Sequence, residues 1–502
     1  MNTNLIRLVV IMVAAVLISI FLGLSSATDQ GTALLWVSVG VAVSICLAAG
    51  NRIWMLVPVA SSLAITLPWI PGDFHLRDVS IIVMLGFGIL LMTKRKITWK
   101  PRVRAADFYI LSVIGILVLA FLRYPAGVAA LGTNQVGGRA YFEVAITAAG
   151  WLFFSGLKAD IKQWNFVIFL SIMLSIGISS MHVLVFYVPA IAVVTGPTIG
   201  IWGSYVSELK GEVGPDEGEA DRKKPLAYMG KSLSSWLVYK ISPLRALFKP
   251  NWMVVMLCAL AAGAMSGFRS EVASIGLTFA VAIGFYHGFK GIITASFISV
   301  LAISGLLIIS TAISLPPNIQ RALSFLPGQW DKNIVRDTEV STDWRVDMWK
   351  EALYSRDHIK NKLIGDGMGM SQKDFETQQH LKATQTMGVG GFDIQQEYFL
   401  ISGNYHSGPV STIKTIGYLG FSLLVVAFIA VIVKVSKTIN KAKNTPWFPI
   451  TIFFGLPCVV FPFSYIFIYG HFQSGIPEYI GYWAVFSMVM NSFEDWINVK
   501  SQ

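Results

Sequence analysis

Long apolar runs separated by short polar loops recur from Leu5 almost to the C-terminus. A helix rises about 1.5 Å per residue, so roughly 20 apolar residues cross the ~30 Å hydrocarbon core of a bilayer. Each crossing must be helical, because lipid offers no partners for backbone groups. The pattern predicts an all-α polytopic membrane protein with about 14 transmembrane helices. They lie near residues 5–25, 32–49, 52–70, 79–93, 107–122, 139–156, 163–184, 188–203, 252–267, 270–288, 292–314, 406–435, 446–469 and 476–493.

Lysine and arginine are distributed unevenly among the loops, which predicts the orientation of the chain in a bilayer. Basic stretches occur at 94–104, 222–224 and 434–443, whereas the loops at 25–31 and 187–190 have none. The short eighth run contains Pro197, but removing it would put the basic stretch 434–443 outside. With that run retained, both termini are expected in the cytoplasm.

This orientation divides the chain into three parts. Residues 1–314 are expected to hold helices 1 to 11, with a cytoplasmic insert at 204–251. Residues 315–405 form one large extracytoplasmic loop, and residues 406–502 hold helices 12 to 14. Within the insert, the mixture of Lys, Arg, Trp and Phe at 231–248 predicts a helix lying in the lipid headgroup region. The charged, Pro- and Gly-rich segment 212–225 is predicted to be disordered.

The composition agrees with a membrane protein and argues against several other classes. The chain is 54% hydrophobic and only 13% charged, against about a quarter charged residues in soluble domains. Its net charge of +11 is attributed to cytoplasmic loops, so no nucleic-acid partner is expected. Cys46, Cys258 and Cys458 fall inside apolar runs without paired spacing, which favours neither disulfides nor a thiolate metal site.

The extracytoplasmic loop contains two recognisable patterns. STDWRVDMWKEAL at 341–353 has capping residues followed by apolar positions at helical spacing, which predicts a helix. GDGMG at 365–369 resembles a phosphate loop at first sight. No strand precedes it and no Gly-Lys-Ser/Thr follows, so a flexible turn is predicted instead.

Three cationic or titratable residues at extracytoplasmic membrane boundaries are the candidates for chemistry. Arg269 lies in a tight turn between two predicted spans, Arg345 lies in the predicted loop helix, and His406 begins the twelfth span. A guanidinium matches phosphate oxygens and keeps its charge, whereas histidine exchanges protons near neutral pH. The alternatives are arginines that snorkel toward headgroups and a histidine with a purely structural role. Asn404 and Glu397 are possible supporting residues near His406.

Motifs for other site classes are missing from the sequence. It contains no HExxH, DxD or His-rich spacing that would indicate a dedicated metal site, and no GxSxG that would indicate a serine hydrolase. A transporter would place ionisable residues in the middle of spans. Charges such as Glu143 and Lys414 instead lie near the ends of predicted spans.

Four motifs in a fixed order resemble the O-antigen ligase and O-antigen polymerase superfamily. They are SGFRSE at 266–271, DWRVDMWKEAL at 343–353, LIGDGMG at 363–369 and NYHSGPVSTIKTIGYLGF at 404–421. The resemblance covers roughly residues 260–435, and GGRAYFEV at 137–144, which contains Arg139, matches a weaker upstream feature. It implies a GT-C-like glycosyltransferase acting on polyprenyl-diphosphate-linked glycans at the outer face of the bacterial inner membrane.

The resemblance also implies a role for each matching residue. Arg269 and Arg345 would bind the diphosphate of the donor, with Arg139 as a possible supporting residue. His406 would activate the acceptor hydroxyl or help neutralise the leaving group, and no metal or other cofactor is implied. Gly417 and Gly420 match the helix-packing glycines of the family. Two departures are Ser407 and Gly408, where the family commonly has Asn or Thr, and the large number of spans.

The expected function is therefore an inverting, metal-independent glycosyltransferase. It would polymerise or ligate lipid-linked oligosaccharide in O-antigen or exopolysaccharide assembly. The acceptor would be a second glycan or a lipid-A-core-type molecule, and the number of spans favours the polymerase over the ligase. A transporter of lipid-linked glycan and a non-catalytic assembly factor remain the alternatives.

Overall fold

The computed structural model describes twelve stretches of the chain. They are residues 40, 50–63, 65–67, 74–94, 99–125, 138–188, 223–326, 328–355, 357–368, 376–377, 380–381 and 392–502. The described part is predominantly helical, and six of its helices are long and apolar enough to cross a membrane. An all-α membrane protein is thus the coarse architecture. Of the predicted spans, 5–25 and 188–203 lie outside the described residues, as does 32–49 except for Gly40, so the total of about 14 stays a prediction.

The chain forms two compact units, and the first contains Met1–Thr98 with Met181–Gly214. Its described elements before residue 98 are a 3-10 helix at Gly50–Met55, α1 (Leu56–Ser61), β1 (Thr66–Leu67), β2 (Phe74–His75) and α2 (Leu76–Thr93). The two short strands pair antiparallel, with Thr66 opposite His75. In the described part of the predicted third span, residues 52–63 and 65–67, a 3-10 helix and a short α-helix are followed by a strand, so this part is not one continuous helix.

The second unit contains Trp99–Ser180 and Pro215–Gln502 and holds all the candidate site residues. Its helices are α3 (Ala105–Arg123), α4 (Arg139–Phe154), α5 (Ile161–Tyr187, in this unit as far as Ser180), α6 (Lys224–Lys240), α7 (Pro243–Ala246), α8 (Pro250–Met265), α9 (Arg269–Ala312), α10 (Pro317–Leu323), α11 (Lys332–Tyr354), α12 (Phe392–Ser402), α13 (Gly408–Ala442), α14 (Phe448–Phe463) and α15 (Phe472–Lys500). A π-helical turn, Ser464–Ile468, follows α14 directly.

The core of this unit is built from helix pairs that bury large side chains. α3 packs along α13, α4 packs along α15, and α14 packs against both α13 and α15. Trp164, Trp483 and Phe486 are fully buried in this core. Many apolar side chains on outward faces, such as Leu119, Phe169 and Phe297, are more than half exposed. Such a surface fits contact with lipid rather than with water.

Two of the long helices are interrupted at a glycine. Gly288 has a φ of 67°, which breaks α9 into two parts that match the separate predicted spans 270–288 and 292–314. Gly417 has a φ of 70° and breaks α13 near its start. Glycine accepts these left-handed values without the steric cost that a Cβ imposes.

Residues 231–248, predicted to form one helix in the lipid headgroup region, are divided between the end of α6 and α7 in the structure. Residues up to Lys240 belong to α6, which packs antiparallel along α8. At one end the Lys223 N–H donates to the Ser266 carbonyl at 3.0 Å. At the other end the Tyr286 hydroxyl donates to the Val238 carbonyl at 2.8 Å.

A small residue explains why α6 and α8 approach so closely. A Cβ placed on Gly230 would lie 3.0 Å from the Ala259 carbonyl oxygen and 3.2 Å from the Gly263 backbone nitrogen. Small residues at such positions let two helix backbones meet in a membrane. The mixed charged and aromatic face of α6 is therefore part of a helical hairpin. The cytoplasmic assignment of 204–251 stays a prediction, and residues 204–222 lie outside the described part.

Candidate functional site

The loop that carries the GDGMG motif forms backbone hydrogen bonds with α13 on both sides of the break at Gly417. The N–H groups of Asp366 and Gly367 donate to the carbonyls of Lys414 and Thr415, at 2.8 and 3.0 Å. On the other side of the break, the N–H groups of Tyr418 and Leu419 donate to the carbonyls of Lys362 and Leu363, at 2.8 and 3.1 Å. The loop thus supplies partners for the backbone groups that a helix break leaves unpaired.

This pairing corrects the expectation of a flexible turn at 365–369. Gly365 and Gly367 have φ values of 87° and 80°, so the loop requires glycine at both positions. Its conformation is fixed further by Asp366, whose carboxylate accepts from the N–H groups of Lys360 and Asn361 at 2.7 and 2.9 Å. Residues 369–375 lie outside the described part.

His406 immediately precedes the capping residue of α13. The helix begins at Gly408, two residues later than the predicted span, and the Ser407 side chain accepts from the Val410 N–H. His406 itself has a φ of 51°, a left-handed conformation that is uncommon for a residue with a side chain. His406 therefore lies in a sharp turn just before α13 rather than in the first turn of the helix.

Three aromatic rings surround the imidazole of His406. The Phe399 ring of α12 lies 4.7 Å away between centroids, nearly edge-on. The Tyr469 and Trp344 rings lie 5.5 and 6.5 Å away. The Tyr469 hydroxyl is within 3.4 Å of His406 Nδ1, which makes this tyrosine a hydrogen-bond partner of the imidazole.

The π-helical turn after α14 brings Tyr469 to this place. Within the turn, Tyr465 is fully buried and its hydroxyl shares a 2.8 Å hydrogen bond with the Thr412 hydroxyl on α13. The Tyr469 N–H then closes the turn on the Ser464 carbonyl at 2.9 Å. After the turn, the Phe472 N–H donates to the Ser411 hydroxyl at 2.9 Å. These contacts tie the chain on both sides of Tyr469 to the first turns of α13.

The predicted loop helix exists and is longer than expected, because α11 begins at Lys332 after the capping residue Asp331. Its apolar face packs on the start of α13, where Met348 and Ala352 are buried with Tyr405 and Val410. The Trp349 indole N–H also donates to the Tyr405 carbonyl at 2.7 Å. α11 is therefore held against the residue that precedes His406.

Arg345 on α11 lies close to the Tyr469 side of this cluster. Partial burial raises the pKa of the Tyr469 phenol, and the positive charge of Arg345 offsets part of that rise. Trp344, the preceding residue, contacts His406 as described above. Tyr469 therefore interacts with both residues, since it hydrogen-bonds His406 and its phenol responds to the charge of Arg345.

Arg269 lines a cavity of about 400 Å³ that is formed largely by the same helix α11. The other lining residues are Ser324 and Phe325 after α10, and Thr338, Glu339, Thr342 and Asp343 of α11. Thr338, Thr342 and Arg345 are spaced i, i+4 and i+7, which places them along one helix face. The rise from Thr342 to Arg345 is about 4.5 Å. One face of α11 thus links the Arg269 cavity to the Arg345 and His406 cluster.

The three possible supporting residues have different surroundings. Arg139 is buried at the start of α4 and pairs with Glu143 at 3.1 Å, which is an ion pair within one helix. Glu397 is exposed on α12. Asn404 lies two residues before His406, and its side-chain oxygen is buried with no hydrogen-bond partner among the described residues. Buried polar atoms normally find a partner, so Asn404 has capacity for one more hydrogen bond.

Sequence reasoning missed the aromatic residues around His406, namely Trp344, Phe399 and Tyr469. A signal for the last was present, because YIFIYGHF at 465–472 is rich in aromatic residues at the end of the thirteenth predicted span. Nothing in that pattern identifies which ring contacts the histidine. In the described part of the chain, no group of three or more His, Cys, Asp or Glu side chains is arranged to hold a metal ion. Metal independence stays a prediction.

Comparison with known proteins does not assign the chain to a family. No protein-family model matches it, and the search of curated proteins found no match.

Proposed function

We propose that the chain is an inverting, metal-independent glycosyltransferase acting on polyprenyl-diphosphate-linked oligosaccharide at the outer face of the bacterial inner membrane. The observation that carries the proposal is the shared face of α11. It joins the cavity of Arg269 to Arg345 and, through Tyr469, to His406. One arginine on α11 and another in a cavity lined by α11, together with a histidine whose ring packs on Trp344 of that helix, suit a diphosphate attached to a lipid chain.

The chemistry follows from the charge that develops on the leaving group. As the glycosidic bond breaks, its electron pair passes to the diphosphate oxygen. Guanidinium groups fixed near that oxygen stabilise the new charge, and one such donor is worth about 3 kcal/mol. An acceptor hydroxyl that attacks the opposite face of the sugar carbon gives inversion. Arg269 and Arg345 are the proposed diphosphate-binding residues, and His406 is the proposed catalytic residue.

The direct test uses purified protein in detergent with a synthetic polyprenyl-diphosphate-linked oligosaccharide. Formation of longer glycan and release of polyprenyl diphosphate are measured together. Arg269→Ala, Arg345→Ala and His406→Ala are each expected to lower product formation at least about 100-fold. Arg336→Ala, which removes an exposed arginine from the same helix α11, is the matched control and is expected to keep full activity. Unchanged product in the three site variants would contradict the proposal.

The same assay separates the polymerase from the ligase. A polymerase extends one lipid-linked oligosaccharide with another, whereas a ligase requires a lipid-A-core-type acceptor. Each acceptor is therefore supplied in a separate reaction. Product with lipid-linked oligosaccharide alone supports the polymerase.

The second candidate function is transport of a lipid-linked glycan. It is favoured by an ion pair between helices, where Lys231 of α6 lies 3.0 Å from Glu271 of α9. Ionisable groups between membrane helices are typical of transport pathways. A transporter makes no covalent bond, so it releases no polyprenyl diphosphate in detergent. An assembly factor without catalytic activity would give the same negative result and would also fail to move glycan across vesicle membranes.

A further inference from the structure

A second cavity, of about 270 Å³, lies between α5 and α6 and is lined by none of the candidate site residues. From α5 it is lined by Asn165, Phe169, Ile172 and Met173, and from α6 by Trp236, Tyr239 and Lys240. Ile172 is buried, whereas the side chains of Phe169 and Met173 are exposed. The apolar wall of this α5–α6 cavity is therefore accessible from the outside of the helical unit.

Side-chain hydrogen bonds join α5 and α6 on both sides of the apolar lining residues. The Tyr239 hydroxyl of α6 donates to Asn165 Oδ1 of α5 at 2.9 Å. Further along α5, the Ser175 and Ser232 hydroxyls share a hydrogen bond of 2.6 Å. From Asn165 to Ser175 the helix rises about 15 Å, and the two backbones approach closely at few positions. The space between these two bonds is consequently an elongated gap rather than a packed interface.

Neighbouring helices hold the aromatic wall of the α5–α6 cavity in place. The Trp236 ring packs edge-on against Trp252 of α8, with 5.6 Å between the ring centroids. The Tyr239 ring packs in the same manner on Phe453 of α14, at 5.9 Å. Because both rings are restrained by other helices as well as by α6, the shape of the cavity is set by the protein itself.

One end of the α5–α6 cavity is polar and positively charged. Lys240 Nζ lies 4.8 Å from the centroid of the Tyr239 ring, whose hydroxyl is bonded to Asn165. Lys162, three residues before Asn165 on the same face of α5, adds a second exposed cation. The described lining residues include Lys240 and no carboxylate. Ammonium and amide donors at this end match phosphate oxygens.

We propose that the α5–α6 cavity binds one anionic phospholipid of the bilayer, with its phosphate at Lys240 and one acyl chain between Phe169, Met173 and Trp236. The charge at one end and the apolar wall along the rest match the two parts of such a molecule. Basic pockets between membrane helices bind anionic headgroups by the same combination. The inference requires only contact of the chain with lipid, so it is independent of the proposed function.

The choice of an anionic lipid follows from charge. A zwitterionic phospholipid offers the same acyl chains, but its own ammonium group offsets the attraction between its phosphate and Lys240. An anionic phospholipid lacks that group and gains the full attraction of the cation. The proposal also gives a role to the basic and aromatic residues at the end of α6, which are typical of a lipid headgroup region.

Photolabelling of the full-length protein tests the site. The protein is reconstituted in vesicles of phosphatidylcholine with a minor fraction of phosphatidylglycerol, part of which carries a diazirine in one acyl chain. After irradiation, peptide mass spectrometry locates the label. We expect enrichment on residues 165–175 and 232–240 over the α9 segment around Phe297, whose exposed ring reports general lipid contact. Unlabelled phosphatidylglycerol should compete about fivefold better than phosphatidylcholine.

Two variants with matched controls test the two parts of the site. Met173→Trp fills the cavity and should lower labelling about tenfold. Leu174→Trp is its control, because Leu174 is equally exposed, at 38%, and does not line the cavity. Lys240→Gln should remove the preference for phosphatidylglycerol, whereas Lys437→Gln, which removes an exposed lysine of α13, should keep it. Thermal unfolding and gel filtration establish that each variant folds.

Three results would overturn the inference. Label spread evenly over α5, α6 and α9 would show general lipid contact only. Equal competition by the two phospholipids, or an unchanged preference in folded Lys240→Gln, would refute the headgroup site. A polyprenyl phosphate that displaces the label better than phosphatidylglycerol would assign the cavity to a different lipid. Because no glycan transfer is measured, each result holds whether the proposed function stands or fails.

Discussion

Gly365 of the loop 362–367 lies against the backbone just before Gly417, where α13 changes direction, and Gly417 lies against the backbone just before Gly365. A Cβ on Gly365 would overlap the Thr415 carbonyl, and a Cβ on Gly417 would overlap the Leu363 carbonyl. Both residues also have left-handed φ values, of 87° and 70°. The two glycines therefore allow a loop and a broken helix to share four backbone hydrogen bonds. This junction separates the short helical segment after His406 from the long apolar part of α13.

Gly417→Ala is expected to disrupt this junction. The new methyl group would collide with backbone atoms, which cannot move away as a flexible side chain would, and the left-handed φ adds strain. We expect a loss of at least about 3 kcal/mol in stability, measured as a lower midpoint of thermal unfolding in detergent. Gly276→Ala is the matched control, since a Cβ there meets no atom within 4 Å. A variant as stable as the control would contradict the role of the junction.

Trp349→Phe tests the attachment of α11 to the residue before His406. The substitution keeps an aromatic ring but removes the indole donor to the Tyr405 carbonyl. We expect a stability loss of about 1 kcal/mol and a several-fold fall in transferase activity, because Tyr405 leads directly into the turn at His406. The measurements are thermal unfolding and product formation in detergent.

Trp330→Phe is the control for this prediction. It removes an equivalent indole hydrogen bond, 2.8 Å to the Leu326 carbonyl, whose acceptor is not a neighbour of His406 in the chain. Its stability should fall by a similar amount while activity is retained. Equal activity loss in both variants would show that general destabilisation explains the effect.

The antiparallel packing of α6 on α8 predicts which side of the membrane each end of α6 faces. If α8 crosses the bilayer, Lys224 lies on the same side of the membrane as Ser266 and Asn318. Phe248 then lies on the opposite side. Single cysteines are introduced at these positions after replacement of Cys46, Cys258 and Cys458. An impermeant maleimide should label Lys224→Cys and Asn318→Cys from the same side of the membrane, and Phe248→Cys from the other side. Labelling of Lys224→Cys and Phe248→Cys from one side would support the insert 204–251 as wholly cytoplasmic.

His471 before α15 predicts a dependence of stability on pH. Burial lowers the pKa of His471 from 6.5 to about 4. Between these values the unfolded chain binds a proton and the folded chain does not, so stability falls as pH decreases from about 6.5 to 4. The contribution is on the order of 2 kcal/mol. It is measured as the unfolding midpoint between pH 7 and pH 4.

His471→Gln should reduce this pH dependence, because the variant has no group that titrates at this position. His358→Gln, which removes a different histidine between α11 and α12, tests whether the change is specific to position 471. Identical profiles for wild type and His471→Gln would show that other groups cause the acid sensitivity.

The sequence by itself determined where many helices of the described part lie. The predicted runs 107–122, 163–184 and 252–267 correspond to α3, α5 and α8. The capping and apolar pattern at 341–353 likewise marked part of α11. These features depend on local composition and spacing, because a membrane helix satisfies its own backbone groups and needs mainly apolar side chains.

The tertiary structure decided the features that depend on contacts between distant segments. Residues 231–240 have the composition of a surface helix, yet the fit of Gly230 against α8 places them in a hairpin. The loop 362–367 is ordered because it pairs with a helix break about 50 residues later in the chain. Neither the glycines nor the apolar pattern states which segment will be the partner.

The surroundings of His406 show most clearly what the sequence and the tertiary structure each determine. Sequence reasoning selected Arg269, Arg345 and His406 as separate positions at predicted membrane boundaries. Their relation depends on α11, whose one face runs from the Arg269 cavity to Arg345, and on the π-helical turn that brings Tyr469 to the imidazole. Residue type determines which chemistry each side chain supports. Only the packing of α11, α13 and the turn after α14 determines which of these side chains meet, because those contacts join residues more than 50 positions apart.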